Sequence, residues 1–191
     1  RVKDYVTHDS LPLILFSGDS TVFGFNFFTN DNRAVQTNNL YFKTQGSQTL
    51  YDATAEAKSV VLRLEADNDR YIEYKYTLAP DKYMVDFDVN FKSMDGIIAS
   101  NQNSLTFDWK MYVPQKEKGR QNEENYATIK YKYYQDEVDQ LKLNSKKDVE
   151  QADIPTKLSW VAFQDQFFSA VIMSNESFLN GSVSSARTEA S

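Results

Sequence analysis

Cysteine is absent from the 191 residues, and histidine occurs once, at His8. Thiol catalysis, disulfide frameworks and cysteine-ligated zinc are excluded by the first absence. The second excludes any mechanism or metal site that needs two imidazoles. Without cysteine the redox compartment stays open. Basic charge is also short: 21 Lys and Arg face 27 Asp and Glu, a net charge of −6. A duplex-binding domain normally carries a basic face against phosphates, so no nucleic-acid partner is expected. Long hydrophobic runs are missing too. The longest, Leu11 to Phe16, contains Pro12 and falls far short of the roughly 18–20 apolar residues of a membrane span. No signal peptide is visible, because Arg1 opens directly in strand-like sequence, Arg-Val-Lys-Asp-Tyr-Val. We read so abrupt a start as a fragment of a longer protein.

What is present is aromatic. Twelve Tyr and thirteen Phe favour strands over helices. Successive strand side chains point to opposite faces, so a strand with one wet face shows a period of two. Residues 83–91 place Tyr83, Val85, Phe87, Val89 and Phe91 on one face and Met84, Asp86, Asp88 and Asn90 on the other. The segments 71–78, 105–113 and 126–133 alternate in the same way. This is the pattern of antiparallel sheets. Asp67-Asn68-Asp69 marks a hairpin between 59–65 and 71–78, and Ala79-Pro80-Asp81 and Asp95-Gly96 mark turns. The segments 158–163 and 167–173 are apolar on both faces and are expected to be central, doubly covered strands. The charged stretch 115–125 is expected to be a loop with one helical turn, and 142–153 an exposed loop. From Ser182 the chain is small and polar, a tail that frays or links onward. The expectation is an all-β, mostly antiparallel sandwich over residues 1–181, with a tail at 182–191.

Candidate chemistry is thin. Asp86 and Asp88 lie two apart on one strand face, which separates their carboxylates by roughly 6–7 Å. Inverting glycosidases use that range. Their pairs normally come from different elements, so a solvated strand face is the reading adopted. Asp67-Asn68-Asp69 and Asn30-Asp31-Asn32 offer oxygen ligands, but neither continues into a calcium loop. Asn175-Glu-Ser and Asn180-Gly-Ser match the N-glycosylation pattern, and Asn180-Gly181 equally fits a tight turn. Trp109 and Trp160 could form a sugar platform, yet both fall on predicted core faces. His8 has no second His and no acidic partner is evident in the nearby sequence. Neither Gly18 nor Gly24 continues into a phosphate loop. No catalytic residue, metal site or cofactor is expected, and no binding residue can be named.

Three stretches carry a resemblance beyond these physical signals. Asp9-Ser-Leu-Pro-Leu-Ile-Leu-Phe runs on to Val22-Phe-Gly-Phe-Asn-Phe-Phe. The second is Pro114-Gln-Lys-Glu-Lys-Gly-Arg-Gln-Asn-Glu-Glu, and the third Leu158-Ser-Trp-Val-Ala-Phe-Gln-Asp-Gln-Phe-Phe-Ser-Ala-Val-Ile. In order and approximate spacing they resemble the large periplasmic domain of the bacterial YidC membrane-protein insertases. Trp160, Val161, Ala162, Gln166, Phe167 and Phe168 carry the most specific part, and Trp160 and Phe167-Phe168 are assigned to the core. The resemblance implies a β-supersandwich, similar to galactose mutarotases, that lacks its first strands here. It implies a membrane-embedded parent in the bacterial inner membrane, with this domain facing the periplasm and a transmembrane core beyond Ser191. The implied activity is insertion and folding of inner-membrane proteins, alone or with the Sec translocon. The implied role of this domain is accessory and non-catalytic, contacting Sec accessory proteins and nascent inner-membrane proteins. Mutarotases use His residues with a Glu base, and one His cannot supply that set. Fold alone does not assign function, so a periplasmic or secreted carbohydrate-binding module is the alternative.

Overall fold

A computed structural model describes residues 4–15, 21–67, 69–141 and 147–186. The chain forms two compact units. A central unit is one continuous stretch, Ser20–Lys110, and a composite unit joins Arg1–Asp19 to Met111–Ser191.

Among its described residues the central unit has seven strands: β1 (Val22–Phe28), β2 (Ala34–Gln36), β3 (Lys43–Thr44), β4 (Lys58–Glu65), β5 (Tyr71–Leu78), β6 (Val85–Lys92) and β7 (Thr106–Lys110). They make two antiparallel sheets, ordered β2-β1-β7 and β3-β4-β5-β6. Alternation decides which side chains turn inward. Phe23, Phe25 and Phe27 of β1 meet Tyr74 of β5 and Phe87 and Phe91 of β6, with ring centroids 5.2–6.2 Å apart for Phe23–Phe87, Phe25–Tyr74, Phe25–Phe91 and Phe27–Phe91. Phe27, Ile72, Tyr74 and Met94 are the buried centre of this core. Edge-on and tilted rings of this kind add about 0.5–1.5 kcal/mol per pair beyond area burial. One polar link lies inside: the Thr37 hydroxyl and the Tyr74 phenol are 2.7 Å apart, and Thr37 Oγ1 accepts the Phe25 amide at 2.8 Å. Burial pushes the Tyr74 phenol above its ordinary pKa, so it stays protonated. The turn bearing Thr37 lies so close to β1 that a Cβ on Gly24 would sit 2.7 Å from Thr37 Oγ1 and 3.1 Å from the Asn38 nitrogen. Close approach, not phosphate chemistry, is what Gly24 serves.

The composite unit begins with a tight turn closed by a Val6–Pro12 bridge, which buries Leu13. It continues with α1 (Arg120–Tyr126), β8 (Thr128–Tyr133), β9 (Val138–Gln140), β10 (Val149–Ile154), β11 (Leu158–Gln164), β12 (Ser169–Phe178) and β13 (Gly181–Ala186). A four-stranded antiparallel sheet runs β12-β11-β8-β9, and β10 pairs with β13 in a separate ribbon. Ile154 and Val183 of the ribbon pack with Ile129, Tyr131, Leu141 and Leu158 into one core. The ribbon comes close to the sheet, since a Cβ on Gly181 would lie 3.0 Å from Leu158 Cδ1.

All ladders between the described strands are antiparallel, so the all-β expectation holds. Four local expectations do not. Residues 120–126 form a two-turn helix rather than one turn in a loop. Residues 149–153, expected in a loop, belong to β10, which pairs with β13, and β13 takes up residues 182–186 of the expected tail. Residues 142–146 lie outside the described residues. The strand expected from 167–173 is an edge strand covered on one side only, with Val171 and Met173 about half exposed. Phe167, assigned to the core, is 67% exposed in the β11–β12 turn.

Candidate functional site

The described residues bury three charged side chains, and all three meet in the composite unit. Lys116 lies in the loop before α1, Glu123 on α1, and Asp165 in the turn between β11 and β12. Their exposures of 3%, 6% and 6% matter, because an ion this dry must be paired. Lys116 Nζ forms an ion pair with Asp165 Oδ2. The same ammonium approaches the Pro114 carbonyl at 3.4 Å.

Glu123 is placed by the short helix. Gly119 caps α1, and the first turn carries Glu123 back over the preceding loop. Its carboxylate accepts the Lys116 amide at 3.0 and 3.1 Å and the Glu117 amide at 3.2 Å. Burial pushes the Glu123 carboxyl above its usual pKa. The two amides pull it down, and the adjacent Asp165 carboxyl pushes it up again. The balance is upward, because burial, the largest influence, together with the Asp165 carboxyl outweighs the two amides.

The N-terminal turn joins the same cluster. The His8 amide donates to the Lys116 carbonyl at 2.9 Å. His8 Nδ1 donates to that carbonyl at 3.0 Å. Its other nitrogen lies 3.2 Å from Asp9 Oδ1, which corrects the expectation that no acidic partner lies nearby: the partner is the next residue in the chain. Tyr5 packs edge-on against Phe168, with ring centroids 5.3 Å apart. The cluster thus ties residues 5–9, 114–126 and 164–168 together. Its groups are consumed by one another, and a fastening is the chemistry they perform.

The other candidates stay apart from it. Asp86 and Asp88 are exposed on β6, an edge strand, opposite Thr77 and Lys75. Asp67 accepts the amides of Asp69 and Arg70 and pairs with the Arg70 guanidinium, and Asn68 lies outside the described residues. Asn30 is spent on Gly96 and Ser100, and Asp31 pairs with Arg33 at 2.8 Å. Among the described residues no three His, Cys, Asp or Glu come together as metal ligands. Asn175 and Asn180 are exposed, the second just before β13. Trp109 is half-buried beside Phe23 across the β1–β7 ladder. Trp160 is half-buried but faces away from the core, opposite Lys132 and Met173. Gly18 lies outside the described residues. A shallow hollow of about 150 Å³ on the central unit is lined by Asn26, Gln36, Asn38, Asn39 and Asp108 around Gly24 and Val22.

Sequence reasoning missed Lys116, Glu123 and Asp165 as a unit, although each lies inside a segment that carried the resemblance. Comparison with known proteins agrees with those segments. The family described as YidC periplasmic domain matches residues 1–189. A membrane protein insertase YidC from Parabacteroides distasonis is 36% identical over 93% of this chain and 26% of its own length. The insertase YidC of Azobacteroides pseudotrichonymphae is 34% identical over 93% of this chain and 27% of its own. That of Chlorobaculum tepidum is 28% identical over 90% and 29%. The chain spans about a quarter of the length of these curated relatives. No solved structure matches significantly. A match along almost the whole chain, passing through all three fastened segments, means that the chain belongs to the YidC periplasmic domain family.

Proposed function

We propose that this chain is the accessory, non-catalytic periplasmic domain of an insertase that places and folds inner-membrane proteins. The carrying observation is the family match over residues 1–189. Residues 1–181 act as one periplasmic domain of a parent embedded in the inner membrane, and the transmembrane part of that parent performs insertion. The partners in this reading are the Sec translocon, its accessory proteins and nascent inner-membrane proteins. The structure supports a non-catalytic role through the state of its charged groups. The buried ones are fastened together, and Asp86 and Asp88 stand in solvent on one strand.

The test is an in-frame deletion of this domain from the parent. Insertion of a Sec-independent reporter should persist, while co-purification with Sec accessory proteins should fall. A deletion protein that reaches the membrane but inserts nothing would overturn the accessory role.

A second reading, glycan binding, draws on the amide-lined hollow around Gly24. Amides and carboxylates suit hydroxyl-rich ligands. The aromatic platform that sugar sites commonly add is missing there, because Trp109 pairs with Phe23 on the opposite face from Asp108. Saturable binding to one member of a glycan panel, lost in Asn26→Ala, would favour this reading, and a flat panel would remove it.

A further inference from the structure

One sheet face of the composite unit has a composition unlike the rest of the chain. Strand register places Val138, Lys132, Trp160 and Met173 side by side in one row across β9, β8, β11 and β12. The next row is Gln140, Lys130, Ala162 and Val171, and the third is Thr128, Gln164 and Ser169. Alternation puts all of them opposite the face that carries Ile129, Tyr131, Val161 and Phe163 into the core. These eleven positions hold two lysines, four neutral polar residues and five apolar ones, and no carboxylate. In a chain of net charge −6 with 27 acidic residues, that segregation sets the face apart.

The face is open along β9 and β12, while Ala162 at its centre is buried among its neighbours. Val138, Val171 and Met173 are 50%, 42% and 51% exposed, and Phe167, in the turn beside the third row, is 67% exposed. Lys130, Lys132 and Trp160 are half-buried among their neighbours. Such lysines lay their stems along apolar surface and lift the ammonium outward. A third lysine stands near the end of the first row, with Lys157 Nζ 5.9 Å from the centroid of the exposed Tyr134 ring. Asp139, between Val138 and Gln140, lies on the other face beside the Tyr131 and Tyr133 hydroxyls, Asp165 is paired with Lys116, and Asp136 and Glu137 sit in the β8–β9 turn at the margin.

We propose that this face docks on an anionic lipid bilayer surface. Charge complementarity and apolar exposure coincide on it. Lysines meet lipid phosphates, while Val171, Met173 and Phe167 enter the headgroup boundary and Trp160 takes the interfacial position that indole favours. An aqueous protein partner of acidic and apolar composition would offer similar chemistry. The bilayer is preferred because the apolar and basic residues are intermingled row by row over the width of the sheet, as an interface in the plane of a membrane requires. The carboxylates elsewhere on the chain do not forbid this, since charges more than about 8–10 Å from the surface are screened at physiological salt. The inference borrows from the proposed function only that the parent sits in a membrane. Vesicle binding by the chain reads the face whatever the parent does, and the domain deletion reads the parent whatever the face does.

The test is co-flotation of the 191-residue chain with vesicles of phosphatidylethanolamine and phosphatidylglycerol, against phosphatidylcholine vesicles. Binding should appear on the anionic vesicles, weaken in 0.5 M salt, and drop about five-fold for each of Lys130→Gln and Lys132→Gln. Val171→Ser with Met173→Ser, at exposed sites that leave the core alone, should weaken binding without lowering the melting temperature. Lys75→Gln with Lys82→Gln, on the central unit, should change nothing. Brominated lipid should quench Trp160 fluorescence, tested in a Trp109→Phe background. No flotation with anionic vesicles would overturn the proposal. So would flotation that ignores all the face variants, or binding to an acidic polypeptide with none to vesicles.

Discussion

The two units solve the same folding problem with different materials. The central unit turns β1, β5 and β6 inward and fills the space with Phe and Tyr rings. Its buried polar content, among the described residues, is Thr37 with the phenol of Tyr74. The composite unit has a core of mostly aliphatic buried residues around Leu158 and Ile154, with Tyr131 among them, and beside it a dry Lys116–Asp165–Glu123 cluster. Ring packing is forgiving, because a displaced ring still buries area. A buried ion pair is unforgiving, because losing one member strands the other without solvent. The composite unit must also hold together segments far apart in sequence, and directional bonds specify such a join better than apolar contact does.

The largest effect should come from breaking the pair. Lys116→Met leaves Asp165 buried without its cation and should cost about 3–5 kcal/mol. Urea unfolding would give the loss, and native-state hydrogen exchange should place it in β11, β12 and α1 while β4–β6 keep their protection. Ile72→Ala, at 1% exposure in the central core, should cost about 2–5 kcal/mol and show the opposite exchange pattern. Gly24→Ala forces a methyl against Thr37 Oγ1 and the Asn38 backbone, and about 1–3 kcal/mol should be lost from the central unit alone.

A smaller effect should appear with pH. The folded pKa of Glu123 is raised, so its proton stabilises the fold below the unfolded value near 4.5. That stability is lost as pH rises through the folded pKa. The composite unit should therefore lose protection as pH rises from 4.5 toward neutrality. Glu123→Gln keeps an oxygen for the Lys116 and Glu117 amides and should flatten this dependence. An unchanged slope in that variant would assign the effect to another group. The smallest effect belongs to the exposed carboxylates: Asp86→Asn with Asp88→Asn should shift stability, read from the urea midpoint, by less than about 0.5 kcal/mol.

Much of the fold could be read from alternation. Strand β5 spans the residues expected of it, and β4, β6 and β8 differ by a residue or two at their ends. Period two reports one wet face and one dry face, and these strands have that arrangement. It failed where composition and exposure part company. The segment 167–173 is apolar on both faces, yet β12 is an edge strand whose outer side is open. Strand β13, Gly-Ser-Val-Ser-Ser-Ala, reads as a tail because only Val183 and Gly181 face the core closely. The buried cluster was hidden for a different reason. Lys116, Glu123 and Asp165 look like surface residues singly, and only the meeting of three distant segments makes them interior.

That meeting also sets an order of events. The His8–Lys116 contact joins residues 108 apart, with the whole central unit strung between them. As a flexible loop, such a span would carry a closure cost that grows with its length. Once Ser20–Lys110 has folded on its own aromatic core, most of the intervening chain is no longer free, and the two ends have far less space to search. During synthesis, at roughly 5–20 residues per second, the turn around His8 waits several seconds or more for Lys116, and longer for Asp165. Folding of the inserted unit thus shortens the free chain between the two parts of its host, and the buried charges are the latch that joins those parts.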